Sequence, residues 1–220
     1  MKRKLLIVGT GPFAEIAALY FNDYSNYDII GFACHSKFRN SSQIHGRDLF
    51  AIEDLPKIAS PDLSEVFIAI GYGKMNQMRE SVFLEMAEKG YTFANFIHPS
   101  VRVWANTVIG RNVFIFEDNT IQPFTTIGDN TVLWSGNHIG HHSKIGDHCF
   151  ISSHVVISGN CHVGRNVFMG VNATLHDSLT IGDYCLIGAG AIISKDTKAR
   201  EVFVPIATKP FPKSSAEIGF

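Results

Sequence analysis

The sequence predicts two units in series, an α/β domain followed by a parallel β-helix, and three observations carry that prediction. From Ile97 to Ile193 every sixth residue is aliphatic. Glycine often follows the aliphatic, as at Gly110, Gly128, Gly146, Gly164 and Gly182, and four residues after it stands a small or β-branched residue such as Val101, Thr125, Cys149 or Ala173. Before residue 97 the pattern changes, and strand-like apolar runs alternate with helix-like ones. A period of six fits neither the 3.6 of a helix nor the alternation of a strand, so it predicts a repeat architecture. Each hexad forms one flat face with its aliphatic turned inward, and three faces make a coil of 18 residues. Residues 18 apart then stack at the strand spacing of about 4.8 Å. Burying each aliphatic contributes about 1.5–3 kcal/mol before conformational entropy is set against it.

The first unit reads as follows. Lys4 to Val8 is a buried strand, Gly9 to Ala14 a tight turn, and Pro12 to Tyr24 a helix. Asp28 to Cys34 is a second strand and Glu65 to Ile70 a third. Gly71-Tyr72-Gly73 then leads into a helix from about Lys74 to Lys89, and a last strand, Thr92 to Ile97, hands over to the first coil at His98-Pro99. Strands alternating with helices make a small Rossmann-like parallel sheet over residues 1–96.

Composition narrows the partners. A net charge of −1 argues against nucleic acid or an anionic membrane. The basic opening Met1-Lys2-Arg3-Lys4 precedes an apolar run too short for an export signal, and no run approaches a membrane span, so a cytoplasmic location is expected. Cys149, Cys161 and Cys185 fall at the small inward hexad position and Cys34 ends a strand, so the cysteines read as core thiols without zinc spacing.

Gly9-x-Gly11-x-x-Ala14 invites a dinucleotide reading, which calls for an acidic residue near the end of the second strand. That strand ends Phe32-Ala33-Cys34-His35 with no carboxylate, which argues against redox use. Amides at this loop and helix start can still hold a phosphate or a sugar, and a glycine turn used only for packing is the other reading.

The tandem hexads resemble those of the hexapeptide-repeat acyltransferases, whose coils are left-handed. The hand comes from that resemblance, since parallel crossovers are otherwise right-handed in nearly every fold. A short α/β domain joined directly to such a β-helix resembles one branch, the sugar acetyltransferases of the NeuD/PglD type, over nearly the whole chain. The resemblance implies that residues 1–96 bind a nucleotide-linked sugar and that residues 97–220 form the acetyltransferase β-helix with a C-terminal tail. It also implies a homotrimer with acetyl-CoA in the groove between neighbouring β-helices. Substrate contacts map to Gly11, Pro12 and Phe13 and to Cys34 and His35. Relatives carry Ser-Gly-His in that loop and Asp at the strand end, and this chain departs at both places.

Six histidines lie between positions 138 and 162, and inward positions are taken by other residues, so they are expected outside or at coil corners as ordinary surface groups. His141 is the exception, for it occupies the position of the family's catalytic base. Acetyl transfer needs a group of pKa near 7 to take the nucleophile's proton and a donor for the developing oxyanion. Gly159 stacks one coil from His141, and its backbone N–H corresponds to the oxyanion donor of relatives. Val171 and Ala189 match family contacts to the CoA arm, and Phe150 stands where some relatives place a CoA-contacting histidine. Lys209 corresponds to a residue of the family's closing segment and reads either as a CoA-phosphate contact or as a solvated tail lysine. Many relatives follow the base with a carboxylate, whereas this chain has His142, a possible modulator of the base. Either Glu117 or Asp118 substitutes, from an adjacent coil or subunit, or His141 is the weaker base.

The implied activity is an acetyl-CoA-dependent N-acetyltransferase acting on a nucleotide-linked amino sugar, a 4-amino-4,6-dideoxy sugar for surface polysaccharide. The alternatives are a sugar O-acetyltransferase of the sialic-acid branch and a non-catalytic trimeric scaffold. Zinc carbonic anhydrases share the left-handed β-helix but use two histidines five positions apart. No pair from His138 onward has that spacing, so no metal is expected.

Overall fold

The Leu5–Val8 run is fully buried because it forms the centre of a six-stranded sheet. In the computed structural model, which describes residues 3–218, the first unit contains β1 (Arg3–Val8), α1 (Pro12–Tyr24), β2 (Tyr27–Cys34), β3 (Gln43–Ile44), β4 (Arg47–Ala51), α2 (Leu55–Ile58), β5 (Ser64–Ile68), α3 (Gln77–Glu88) and β6 (Thr92–Phe93). Met1 and Lys2 of the basic opening lie outside the described residues, as do Gly219 and Phe220. The strand order is β3-β4-β2-β1-β5-β6, parallel except for the β3–β4 pair. Pro12 opens α1, where its missing N–H has no partner to lose.

Three sequence expectations change. The β3–β4 hairpin extends the sheet beyond β2 and was not foreseen, since neither strand is long enough to show a period. Helix α3 starts at Gln77 rather than near Lys74, because Lys74, Met75 and Asn76 all adopt left-handed φ values of 51°, 53° and 63°. The predicted strand from Thr92 to Ile97 is two strands: β6 closes the α/β sheet, and β7 (Phe96–Ile97) pairs with Phe114–Ile115 in the first coil.

From β7 onward the chain winds as a triangular prism of three parallel sheets. The register is the predicted 18, as in Phe114↔Val132, His138↔Val156 and Lys144↔His162. Every hexad aliphatic from Ile115 to Ile193 is buried. Val103 is the exception at 40% exposed, for the first coil has no strand there and leaves that residue at the open end of the prism.

Each corner needs one residue in the left-handed region, and these recur every six positions from Asn112 onward. Asparagine, aspartate, glycine and histidine tolerate that conformation best. His142, His148 and His154, at φ of 59°, 61° and 58°, occupy three such positions in consecutive hexads. Half of the histidine cluster is therefore turn chemistry.

The α/β domain sits on the prism face whose outward residues are Phe114, Val132, Phe150 and Phe168. Phe114, Phe116 and Phe150 share one core with Phe13, Phe21 and Phe67 of the first unit, and the Phe116 and Trp134 rings stack at 4.4 Å. Polar groups seal the adjoining edge. Arg79 of α3 is fully buried and donates to the carbonyls of Asn130, His148 and Cys149, so its charge is spread over backbone dipoles. Burial holds its pKa down at about 10.

Candidate active site

Three corners run the length of the prism, and the predicted site residues divide among two of them, the face covered by the α/β domain, the tail and the α/β domain itself. His141 stands on the corner opposite the face that the α/β domain covers, between the strands His138–Ile139 and Lys144–Ile145. Its backbone N–H donates to Gln122 Oε1 at 2.8 Å, which fixes the turn. The ring is exposed and lies over Gly159, one coil on: a Cβ at Gly159 would stand 2.7 Å from Cε1 and 2.8 Å from Nε2. Any side chain at 159 would displace the imidazole. The Gly159 N–H makes no hydrogen bond among the described residues, and the His141 imidazole lies over this residue.

The other ring nitrogen of His141 meets His142, Nδ1 to Nδ1, at 3.2 Å. One of the two must donate. If His141 donates, its Nε2 carries the lone pair and faces Gly159 as a base; His142 must then be the neutral acceptor. The His142 ring is held for this by stacking on Phe124 at 4.7 Å. Neither Glu117 nor Asp118 reaches His141 within the chain. Glu117 accepts from Tyr20 Oη at 2.8 Å and Ser135 Oγ at 2.5 Å on a different corner. Its pKa is lowered: burial opposes the charge, but the hydrogen bonds from Ser135, its own backbone and Tyr20 outweigh it.

Val171 and Ala189 are exposed and lie on that same Glu117–Ser135 corner, not on the His141 corner. Phe150 is corrected. It is 4% exposed and sandwiched with Tyr72, Trp134 and Phe168 beneath the α/β domain, so it is a packing residue with no free face for CoA. The surface reading of His148 is also corrected. It is 5% exposed, accepts from Asn130 Nδ2 at 2.9 Å, and lies 3.8 Å from Glu80 of α3. Lys209 is exposed on the tail.

The α/β residues gather round a cavity of about 420 Å³ at the carboxyl ends of β1, β2 and β5. Gly11, Pro12, Phe13, Cys34 and His35 all line it, together with Phe38, Ile52, Met78 and Val82, which sequence reasoning did not single out. Crevices at this end of an open α/β sheet are where ligands bind. Phe13 does two jobs, since its ring also packs edge-on against Phe114 at 5.7 Å. The cavity lies in the α/β domain, which packs on one face of the prism, and the His141 corner is opposite that face. Among the described residues no group of three His, Cys, Asp or Glu side chains could hold a metal ion, and no helix is long and apolar enough to cross a membrane.

Residues 124–159 and 160–195 match the family described as bacterial transferase hexapeptide (six repeats). Residues 124–195 are hexapeptide repeats. The fold of the chain is shared with solved structures. The acetyltransferase domain of PglB from Neisseria gonorrhoeae is 22% identical over 91% of this chain and 95% of that one, with a TM-score of 0.80. A histidine-to-asparagine variant of perosamine N-acetyltransferase from Caulobacter crescentus, solved with CoA and GDP-perosamine, is 23% identical over 90% and 92%, with a TM-score of 0.79. WeeI from Acinetobacter baumannii is 18% identical over 91% and 95%, with a TM-score of 0.69. The chain therefore has an α/β domain followed by a left-handed β-helix. No curated protein matches it in sequence.

Proposed function

We propose that this protein transfers an acetyl group from acetyl-CoA to the amine of a nucleotide-linked amino sugar, in the cytoplasm, for surface polysaccharide. The observation that carries this reading is the His141 ring lying over Gly159, whose N–H has no hydrogen-bond partner among the described residues. A base and an oxyanion donor side by side fit acyl transfer to a nucleophile. Solved proteins of the same fold act on such substrates: the Caulobacter enzyme was solved with CoA and GDP-perosamine, and the PglB domain with acetyl-CoA.

The chemistry follows from the geometry. Gly159 N–H donates to the thioester oxygen as charge develops there, in a position that needs no reorganisation. The amine nitrogen bonds to the thioester carbonyl carbon as His141 Nε2 takes its proton, with the Nδ1–H held on His142; the C–S bond then breaks and CoA leaves as its thiol, taking that proton from His141. His142 stabilises the resulting imidazolium less than a carboxylate would.

The working site spans two protomers of a homotrimer. His141 stands on the corner opposite the face that carries its own α/β domain, so a neighbour brings a cavity to it, and closed threefold symmetry does this for all three sites at once. Val171 and Ala189 on the neighbour's corner then line the CoA arm, and Lys209 of the tail is available to a CoA phosphate. We take residues 1–96 as the sugar-nucleotide unit and residues 97–220 as the acetyltransferase unit. Gly11, Pro12, Phe13, Cys34 and His35 hold the sugar nucleotide.

Incubation with acetyl-CoA and a panel of nucleotide amino sugars, read by mass spectrometry, tests the reading. An alkali-stable acetyl adduct is expected. An alkali-labile adduct would mean O-acetylation, and no adduct on any sugar would leave a scaffold.

A further inference from the structure

The cavity has two titratable side chains in its lining, the Cys34 thiol and the His35 imidazole, and the imidazole is not alone. His35, at the end of β2, lines the cavity and places Nε2 2.8 Å from Glu85 Oε2. Glu85 comes from α3, fifty residues away in sequence. Met78, Val82 and Glu85 fall at i, i+4 and i+7, so one face of α3 lines the cavity wall with its first two members and delivers a carboxylate to the rim with the third. The acid that open α/β nucleotide sites place at the end of the second strand is absent from this strand in sequence and stands one side chain behind it in space.

We propose that His35 and Glu85 form a single ribose-reading unit, in which Glu85 sets the tautomer and His35 makes the contact. This rests on the nucleotide-sugar reading of the cavity given above. A carboxylate is an acceptor only, so Glu85 draws the ring proton to Nε2. His35 is then left with a lone pair on Nδ1. That nitrogen accepts a hydrogen bond from a ribose hydroxyl, as a strand-end carboxylate does elsewhere. Without Glu85 the ring loses the bond that fixes both its tautomer and its orientation, so Nδ1 is no longer held at the contact. Glu85 is a positioning residue: its second oxygen faces Lys89 Nζ at 3.6 Å, and it acts on the ligand through His35. The exposed side chains of Phe38 and Met78, with the buried Ile52 and Val82 behind them, supply the apolar surface for the flat base.

Calorimetry of the full-length protein with UDP and GDP, and with their 2′-deoxy and 3′-deoxy forms, tests this directly. The wild type should bind a ribonucleotide about tenfold more tightly than the deoxy form lacking the contacted hydroxyl, the effect of one hydrogen bond. Glu85→Ala should bring that ratio close to one while the affinity for acetyl-CoA and the melting temperature stay unchanged. His35→Asn places a carbonyl oxygen where Nδ1 stands, an acceptor with no tautomer to control. In that background the ratio should persist, and adding Glu85→Ala should not reduce it further. If the wild type binds ribo and deoxy forms equally, or if Glu85→Ala weakens both equally in both backgrounds with a lowered melting temperature, the unit is structural and the proposal is overturned. If no nucleoside diphosphate binds while acetyl-CoA does, the nucleotide reading of the cavity itself fails, and the ribose assignment falls with it.

Discussion

Asn130 donates its side-chain amide to Nδ1 of His148 across 2.9 Å, and the direction of that bond is fixed from the other domain. The Ile68 N–H of β5 donates to Asn112 Oδ1, and Asn112 Nδ2 donates back to the Ile68 carbonyl and on to Asn130 Oδ1. Asn130 can therefore present only its NH₂ to His148, which must accept. The ladder of residues 112, 130 and 148 thus holds His148 neutral at the domain junction.

A pH dependence of stability follows. Burial lowers the His148 pKa below its ordinary 6.5, Glu80 and Asp147 oppose that shift, and Arg165 and Arg79 add to it. The unfolded chain then binds the proton first as pH falls. Stability should be full above about pH 6.5 and decline below it, towards the lowered folded-state value. Thermal melts from pH 8 to pH 5 measure this. His148→Asn keeps an acceptor for Asn130 without a titrating ring and should flatten the acid limb.

Arg79 should be the most sensitive position at the junction. Its removal leaves the carbonyls of Asn130, His148 and Cys149 without their buried donor. Arg79→Met should lower stability by about 3–5 kcal/mol, read by urea denaturation, with the aliphatic stem preserved.

How far the sequence could be read depended on period. The β-helix was legible because each coil repeats one packing problem, and the same arithmetic placed Gly159 on His141. Phe150 was misread because its hexad position was matched to relatives before its neighbours were considered. Phe114, Val132, Phe150 and Phe168 are all outward and apolar at spacing 18, a stripe that marks the face covered by another domain. Asn112, Asn130, His148 and Asn166 follow the same spacing and could have shown the polar edge of that face. Glu85 and Arg79 carried no such signal, for their partners come from distant strands and turns and no local pattern encodes them.

Gly159 should tolerate no side chain. The added methyl of Gly159→Ala would fall within 2.8 Å of His141 Nε2 and tilt the ring from its position. We expect kcat to fall about a hundredfold, with the melting temperature within a few degrees of wild type, since the residue lies outside the core.

His142 should matter as an acceptor. His142→Phe preserves stacking on Phe124 but removes the atom that receives the His141 Nδ1 proton. Turnover should fall about tenfold. His142→Asp restores an acceptor with charge, which stabilises the imidazolium and should move the ascending limb of the pH–rate profile to higher pH. Rate profiles between pH 6 and 8.5 distinguish the two.

Val171 and Ala189 lie on a different corner from His141, so the trimer has a measurable role. Light scattering at micromolar protein should give three times the chain mass, and a monomeric mass would separate the two halves of the site.

The most direct measurement of the account is kcat/KM of His141→Asn for acetyl transfer to the preferred nucleotide amino sugar. Asparagine is polar, planar and fits the exposed corner, so acetyl-CoA affinity and oligomeric state should match wild type. Loss of the base should lower kcat/KM by about 10²–10⁴, most at low pH where more of the amine is protonated. A His141→Asn protein with near-normal kcat/KM across that pH range would contradict the assignment of His141 as the base.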